Sequence, residues 1–181
     1  MANLSNRQIA LKPQDLYVLL ALLSRDNSDS GAVTYPDLAA QTGLASSAVH
    51  ASLKRAVTAR LLVFHDRRPV IVKPALKDFL LHGAMYAYPP VWGALSRGVP
   101  TAYAAPPLAA IIAPSGDPVP VWPSPAGTVR GLSLAPLYPS VPLAALRDAK
   151  LYALLVLFDA IRSGQARERN AARDLLEAYF K

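Results

Sequence analysis

The sequence contains no cysteine among its 181 residues. Disulfide bonds, thiolate zinc sites and cysteine nucleophiles are therefore excluded. Acidic residues are also scarce, 12 against 19 lysines and arginines, so the formal net charge is +7. Long apolar runs are missing too, because the longest, residues 151–158, is far below the ~20 residues of a membrane span. The N-terminal stretch lacks the apolar core of a signal peptide. We expect a cytoplasmic protein without membrane contact.

The motifs of common enzyme active sites are absent as well. The sequence has no GxxxxGK phosphate loop, no GxGxxG fingerprint, no HExxH and no GxSxG. His65 stands beside Asp66, but no third ligand follows at helical spacing, so no metal site is predicted. We expect a protein that is not an enzyme and has no catalytic residue, cofactor or metal. A hydrolase site assembled from distant residues is the alternative left open.

Proline divides the chain into three parts. Of the 17 prolines, four precede residue 81, the other 13 fall between Pro89 and Pro142, and none follows. A helix interior does not tolerate that density. We therefore predict an α+β protein with a helical N-terminal domain over 1–80, a proline-rich layer of loops and short strands over 81–146, and a C-terminal pair of helices over 147–181. The expected strands lie near 99–104, 109–113, 118–122 and 128–134.

The sequence of the N-terminal part predicts helices followed by a hairpin. A first helix starts near Pro13, and leucines at helical spacing mark its buried face. A second starts near Pro36 and ends at Gly43, since glycine accepts the left-handed turn. Ser46 is the expected N-cap of a third helix, 46–59, that buries Val49, Leu53 and Val57. The runs 62–64 and 70–72 flank a charged tip, which is a hairpin pattern over 62–73.

Positive charge is concentrated on this third helix and hairpin. Residues 46–77 carry seven lysines and arginines against the single acid Asp66. A basic patch on a protein with a normal core is typical of polyanion binding. Simple solubility is the alternative interpretation of the overall charge.

The stretch LAAQTGLASSAVHASLKRAVTARLL, residues 38–62, resembles the winged helix-turn-helix of MarR-type bacterial transcription regulators. The matching positions are Leu38, Ala39, Gly43, Leu44, Ser46, Val49, Leu53, Leu61 and Leu62, with Ala45 taken as an insertion. The resemblance covers residues 13–80. Arg60 departs from the pattern, because the family has glycine at the exit of the recognition helix; we expect a strained left-handed arginine or a longer helix.

The resemblance implies a repressor that binds double-stranded DNA, with helix 46–59 in the major groove and the wing 62–73 on the minor groove or the backbone. The expected DNA-binding residues are Ser46, Ser47, His50, Lys54, Arg55, Arg67 and Arg68. Of these, Ser47, His50 and Lys54 are the candidates for base edges, while Ser46, Lys54 and Arg55 also suit phosphates.

Three alternatives stand beside these assignments. The third helix could be an ordinary surface helix, the arginines of the tip could pair with Asp66, and the winged helix could bind only protein. An antitoxin or adaptor acting through residues 81–181 is the alternative function.

The rest of the chain suggests contacts with partners. Residues 151–158 are apolar on nearly all sides, which fits a homodimer helix or burial in the chain's own core. Trp92 and Trp122 fit either a pocket or the core. The segments RGVPTAYAAP (97–106) and LFDAIRSGQARERNAARDLLEAYF (157–180) are similar to antitoxins of type IV abortive-infection systems, which implies a cognate toxin as a further partner.

Overall fold

The computed structural model describes residues 9–25, 33–113 and 118–181. The fold is α+β, as predicted, with helices around an apolar core, a two-stranded hairpin and a small closed barrel. None of the helices within these ranges is long and apolar enough to cross a bilayer.

The N-terminal elements follow the predicted order. The helices are α1 (Pro13–Arg25), α2 (Tyr35–Thr42) and α3 (Ser46–Thr58), and the hairpin consists of β1 (Leu62–His65) and β2 (Arg68–Ile71). Helix α2 begins with a capping box, in which the Thr34 hydroxyl accepts from the Asp37 N–H and the Asp37 carboxylate accepts from the Thr34 N–H. The hydroxyl and N–H of Thr34 both donate to this carboxylate and hold the pKa of Asp37 below its usual value.

Helix α1 lies at the centre of the molecule. Its residues from Asp15 to Ser24 are all buried, because α2 and α3 pack on it from one part of the chain and α7 (Ala149–Ser163) from another. The predicted leucine face is therefore only part of its contact surface. A helix that is apolar on nearly all sides must be covered on all sides.

The chain then passes through further helical segments into the barrel. Helix α4 (Lys73–Asp78), a π-helical turn (Phe79–Gly83) and α5 (Ala84–Ala87) follow the hairpin. The barrel consists of β3 (Trp92–Pro100), β4 (Pro120–Pro123) and β5 (Val129–Leu134). Strand β3 is antiparallel to both neighbours, while β4 and β5 are parallel. The barrel closes tightly, since a Cβ at Gly98 would overlap the backbone of Trp122.

Two of the four expected strands are confirmed, near 118–122 and 128–134, and two are wrong. The first strand of this region is 92–100, and 3₁₀ turns follow at Ala102–Ala104 and Leu108–Ala110. Apolar residues such as Ala102 and Leu108 are buried in these turns, so their hydrophobicity does not require a strand. Trp122 is buried in the core, whereas Trp92 is 44% exposed.

The C-terminal part contains α6 (Val141–Ala145), α7 and α8 (Ala166–Glu177). Asp148 caps α7 by accepting from the backbone N–H groups of Lys150 and Leu151. The homodimer role of residues 151–158 is wrong, because α7 is buried in its own chain between α1, α8 and the turn at 102–104. Its alternative, burial in the protomer core, is what the structure shows.

The barrel is joined to α7 by a buried carboxylate. Asp159 accepts from the Thr101 hydroxyl at 2.8 Å and from the Trp122 indole at 2.6 Å. Its other oxygen accepts from Arg162 Nε at 2.8 Å, and Arg162 also donates to the Ala135 carbonyl. The pair therefore connects helix and barrel, and one apolar core extends from Leu16 to Leu176 across all three predicted parts.

Replacing Asp159 with asparagine should lower the free energy of unfolding by about 3–5 kcal/mol, because it removes the charge that compensates the buried Arg162. The measurement is denaturant unfolding of the full chain. Asp174→Asn on an exposed part of α8 is the matched control and should change stability by about 0.5 kcal/mol or less. Equal stability of the two variants would contradict the role given to Asp159.

Candidate nucleic-acid interface

The orientation of α3 is set by its buried side. Val49, Ser52, Leu53 and Ala56 are buried against the core. This leaves Ser46, Ser47, His50 and Lys54 exposed. Because helical residues three and four positions apart share a face, Ser47, His50 and Lys54 form one outward surface. Val57, expected in the core, is 36% exposed instead, because the buried face turns through Ser52 and Ala56.

Arg55 does not belong to this outward surface. Its Nε and Nη2 donate to the two carboxylate oxygens of the fully buried Asp15, at 2.7 and 2.6 Å. The Asp15 carboxylate raises the pKa of Arg55, and only 18% of the Arg55 side chain is exposed. The predicted phosphate contact of Arg55 is therefore corrected: this arginine fastens α3 to α1.

The N-terminus of α3 is open. The N-cap is Ala45, whose side chain makes no capping hydrogen bond, so the expected capping by Ser46 is wrong. Ser46 is the first helical residue, and both it and Ser47 are exposed. The first N–H groups of a helix have no partner within the helix and carry partial positive charge, so this end favours an anion.

Arg60 forms the exit of α3 in a left-handed conformation, with φ +60°. The helix ends at Thr58 and does not run longer. The N–H groups of Arg60 and Leu61 donate to the carbonyls of Val57 and Ala56, which is the pattern of a Schellman motif. The arginine thus takes the left-handed conformation that usually favours glycine, and it carries an exposed cation beside the hairpin.

The hairpin tip is a two-residue turn of Asp66 and Arg67, both with positive φ, as in a type I′ turn. The tip is shorter than expected, because His65 and Arg68 pair within the strands. Arg67 and Arg68 are exposed. The carboxylate of Asp66 lies 3.3 Å from the His65 imidazole. Among the residues that the structure describes, Asp66 makes no ion pair with Arg67 or Arg68.

Tyr35 links the surface of α3 to the hairpin tip. Its ring meets the His50 ring edge-on at 5.5 Å between centroids. It also lines a groove of about 300 Å³ together with Arg67 and Arg68. Tyr35 was not among the expected site residues, although its place just before Pro36 marks the start of α2. Tyr35 and Arg60 are therefore added to the candidate site residues that the sequence predicted.

The turn between α2 and α3 is held from two distant segments. Gly43 has φ +70° and ends α2, as predicted. The Thr42 carbonyl accepts from the Tyr17 hydroxyl at 2.9 Å and from the Ser140 hydroxyl at 2.6 Å. Burial raises the pKa of Tyr17 to about 12, so this donor stays protonated at neutral pH. The C-terminal half therefore helps to position α3.

No group of three or more histidine, aspartate or glutamate side chains that could hold a metal lies within the described ranges.

Comparison with models of protein families, with curated proteins and with solved structures gives no match to this chain.

The neighbouring cations Lys54 and Arg55 should differ sharply in their effect on stability. Arg55→Ala leaves the buried Asp15 charge without its counter-ion and should lower the free energy of unfolding by about 3 kcal/mol. Lys54→Ala removes an exposed side chain and should change it by about 0.5 kcal/mol or less. Denaturant unfolding of both variants tests this, and an equal loss in both would contradict the Asp15 pairing.

Proposed function

We propose that residues 13–71 form a winged helix-turn-helix that binds double-stranded DNA, and that the protein is a transcriptional repressor. The observation that carries the proposal is the outward surface of α3, formed by Ser47, His50 and Lys54, which continues through Tyr35 to the basic hairpin tip. A helix of this kind fits the major groove of B-DNA, where each base pair presents a distinct pattern of donors and acceptors.

The proposed contacts follow from exposure and chemistry. Ser47, His50 and Lys54 face the base edges. Ser46 and the open N-terminus of α3 bind a phosphate, which positions the helix without reading sequence. Arg60, Arg67 and Arg68 bind phosphates beside the groove, or the minor groove where it is narrow. Arg55 is left out because its guanidinium is paired with Asp15.

Binding of duplex DNA across a salt series tests the proposal. Affinity should fall steeply between 50 and 300 mM salt, with about 0.9 added to the logarithmic slope for each phosphate contacted. Arg67→Gln with Arg68→Gln should reduce that slope by up to about 1.8. The measurement is fluorescence anisotropy with a pool of random-sequence duplexes.

The matched control is Arg97→Gln with Arg130→Gln. These two arginines are exposed and lie opposite each other on β3 and β5 of the barrel, so the change in net charge is the same. Absence of binding at about 50 mM salt, or an equal loss of slope in both double variants, would contradict the proposal.

A protein partner is a second candidate function, favoured by four exposed apolar side chains within residues 86–95, here called the apolar strip. Tyr86, Val91, Trp92 and Leu95 are 77%, 62%, 44% and 51% exposed. Exposed apolar groups that lie close together mark interaction sites. With α7 buried in its own chain, this strip is the better place for a homodimer contact or for a cognate toxin.

Sedimentation of the full chain should show a dimer. The double variant Trp92→Ser with Leu95→Ser should be a monomer, since the two changes remove exposed apolar area. Val63→Ser on the exposed side of β1 is the control and should leave the dimer unchanged. A wild-type chain that is monomeric throughout would contradict the homodimer, and the toxin would then be the remaining partner for this strip.

A further inference from the structure

A cleft of about 480 Å³ lies where the helix-turn-helix unit meets the C-terminal helices. Its walls are formed by the end of α1, the end of α2 and the joint between α6 and α7. The charged side chains that line it are Arg25, Arg147, Asp148 and Lys150. Three cations and one acid therefore share this cleft.

The acid of the cleft, Asp148, is held by hydrogen bonds from neutral groups. One oxygen of Asp148 accepts from the backbone N–H groups of Lys150 and Leu151, both at 3.0 Å. The other accepts from the Gln41 side chain at 2.6 Å. Arg147 and Lys150 are exposed, and neither has an ion-pair partner in the part of the chain that the structure describes.

The walls of the cleft are held together by Gln41. Its amide nitrogen donates to Ser24 at 2.9 Å as well as to Asp148, and its oxygen accepts from Arg25 Nε at 2.9 Å. Both N–H groups and the oxygen of this amide are thus used within the protein. Gln41 thus holds Arg25 and Asp148 in place before a ligand arrives, which lowers the cost of ordering this wall on binding.

The cleft also adjoins the turn that leads into α3. Arg147 lines a second, smaller pocket of about 190 Å³ together with Gly43 and Ser140. Ser140 donates to the Thr42 carbonyl in that turn. Arg147 therefore lies between this cleft and the segment that positions α3.

We propose that this cleft binds a phosphate group through Arg147 and Lys150, with Arg25 adding positive potential. Arginine forks and lysine ammonium groups both suit phosphate, and phosphate offers several oxygens to cations that approach from different sides. The phosphate comes either from the DNA backbone next to α3 or from a free phosphorylated molecule. The first source rests on the proposed DNA binding, and the second does not.

Calorimetric titration of the full chain with inorganic pyrophosphate, at low ionic strength in a buffer without anions that compete, tests the free source. The wild type should bind, and Arg147→Gln with Lys150→Gln should weaken binding at least about tenfold, as expected for loss of a charge-assisted hydrogen bond. Arg97→Gln with Arg130→Gln removes the same charge from the barrel and should bind as the wild type does.

The salt dependence of duplex DNA binding tests the backbone source. If DNA supplies the phosphate, the Arg147/Lys150 variant should lose up to about 1.8 from the logarithmic slope, while the Arg97/Arg130 variant keeps the wild-type slope. Arg147→Lys with Lys150→Arg should restore binding in whichever experiment shows the loss, since it keeps both charges. The charge-keeping variant and the glutamine variant should both unfold at the same temperature as the wild type, because the side chains of Arg147 and Lys150 are exposed.

A selective loss in either experiment supports the site and identifies the source of its phosphate. Wild-type behaviour of the Arg147/Lys150 variant in both experiments overturns the proposal. Pyrophosphate binding that depends on Arg147 and Lys150, in a protein that does not bind duplex DNA, keeps the site and overturns the proposed DNA binding alone.

Discussion

The ion pair between Asp15 and Arg55 fixes the part of the structure on which the proposed function depends. A fully buried carboxylate requires a partner, since an uncompensated charge in the core costs several kcal/mol. Arg55 supplies it with both nitrogens of its fork, across 40 residues of sequence. This contact joins α3 to α1 and, together with the buried side chains of α3, leaves Ser47, His50 and Lys54 facing outward.

A second buried pair does the same for the other half of the chain. Asp159 and Arg162 on α7 hold the barrel through Thr101, Trp122 and the Ala135 carbonyl. Since α1 contacts both α3 and α7, the interface and the barrel share one core. Ser140 adds a direct bond from the C-terminal half to the turn before α3.

Local patterns predicted the N-terminal elements because local rules determine them. Gly43 provides the left-handed turn, and Val49 and Leu53 recur at helical spacing. Two β-rich runs on either side of a short segment of turn residues indicate the hairpin. The α+β class follows from the same signals together with the proline distribution. The exposed positions Ser47, His50 and Lys54 follow directly from the buried ones.

Most of the errors arose where a residue distant in the sequence decides the outcome. The sequence alone predicts that Arg55 is a surface cation, because its partner Asp15 lies 40 residues away. The helical spacing also predicted that Val57 is buried, but Ser52 and Ala56 occupy the buried side of α3 instead. The apolar stretch of α7 cannot reveal whether its own chain or a second copy covers it. In the barrel, β3 pairs with residues 21 or more positions away in the sequence, for example Pro100 with Val121, Arg97 with Arg130 and Trp92 with Leu134. Alternation of apolar and polar residues alone does not determine such a pairing.

Selection of bound sequences from a random duplex library tests most directly whether α3 reads DNA. The wild type should enrich one motif. Ser47→Ala with His50→Ala should change base preference within it, since a good base contact contributes about 1–3 kcal/mol of discrimination. Arg67→Gln with Arg68→Gln should weaken binding while keeping the motif, if these arginines contact phosphates. Failure of the wild type to enrich any motif, or an unchanged motif in the Ser47/His50 variant, would contradict the account.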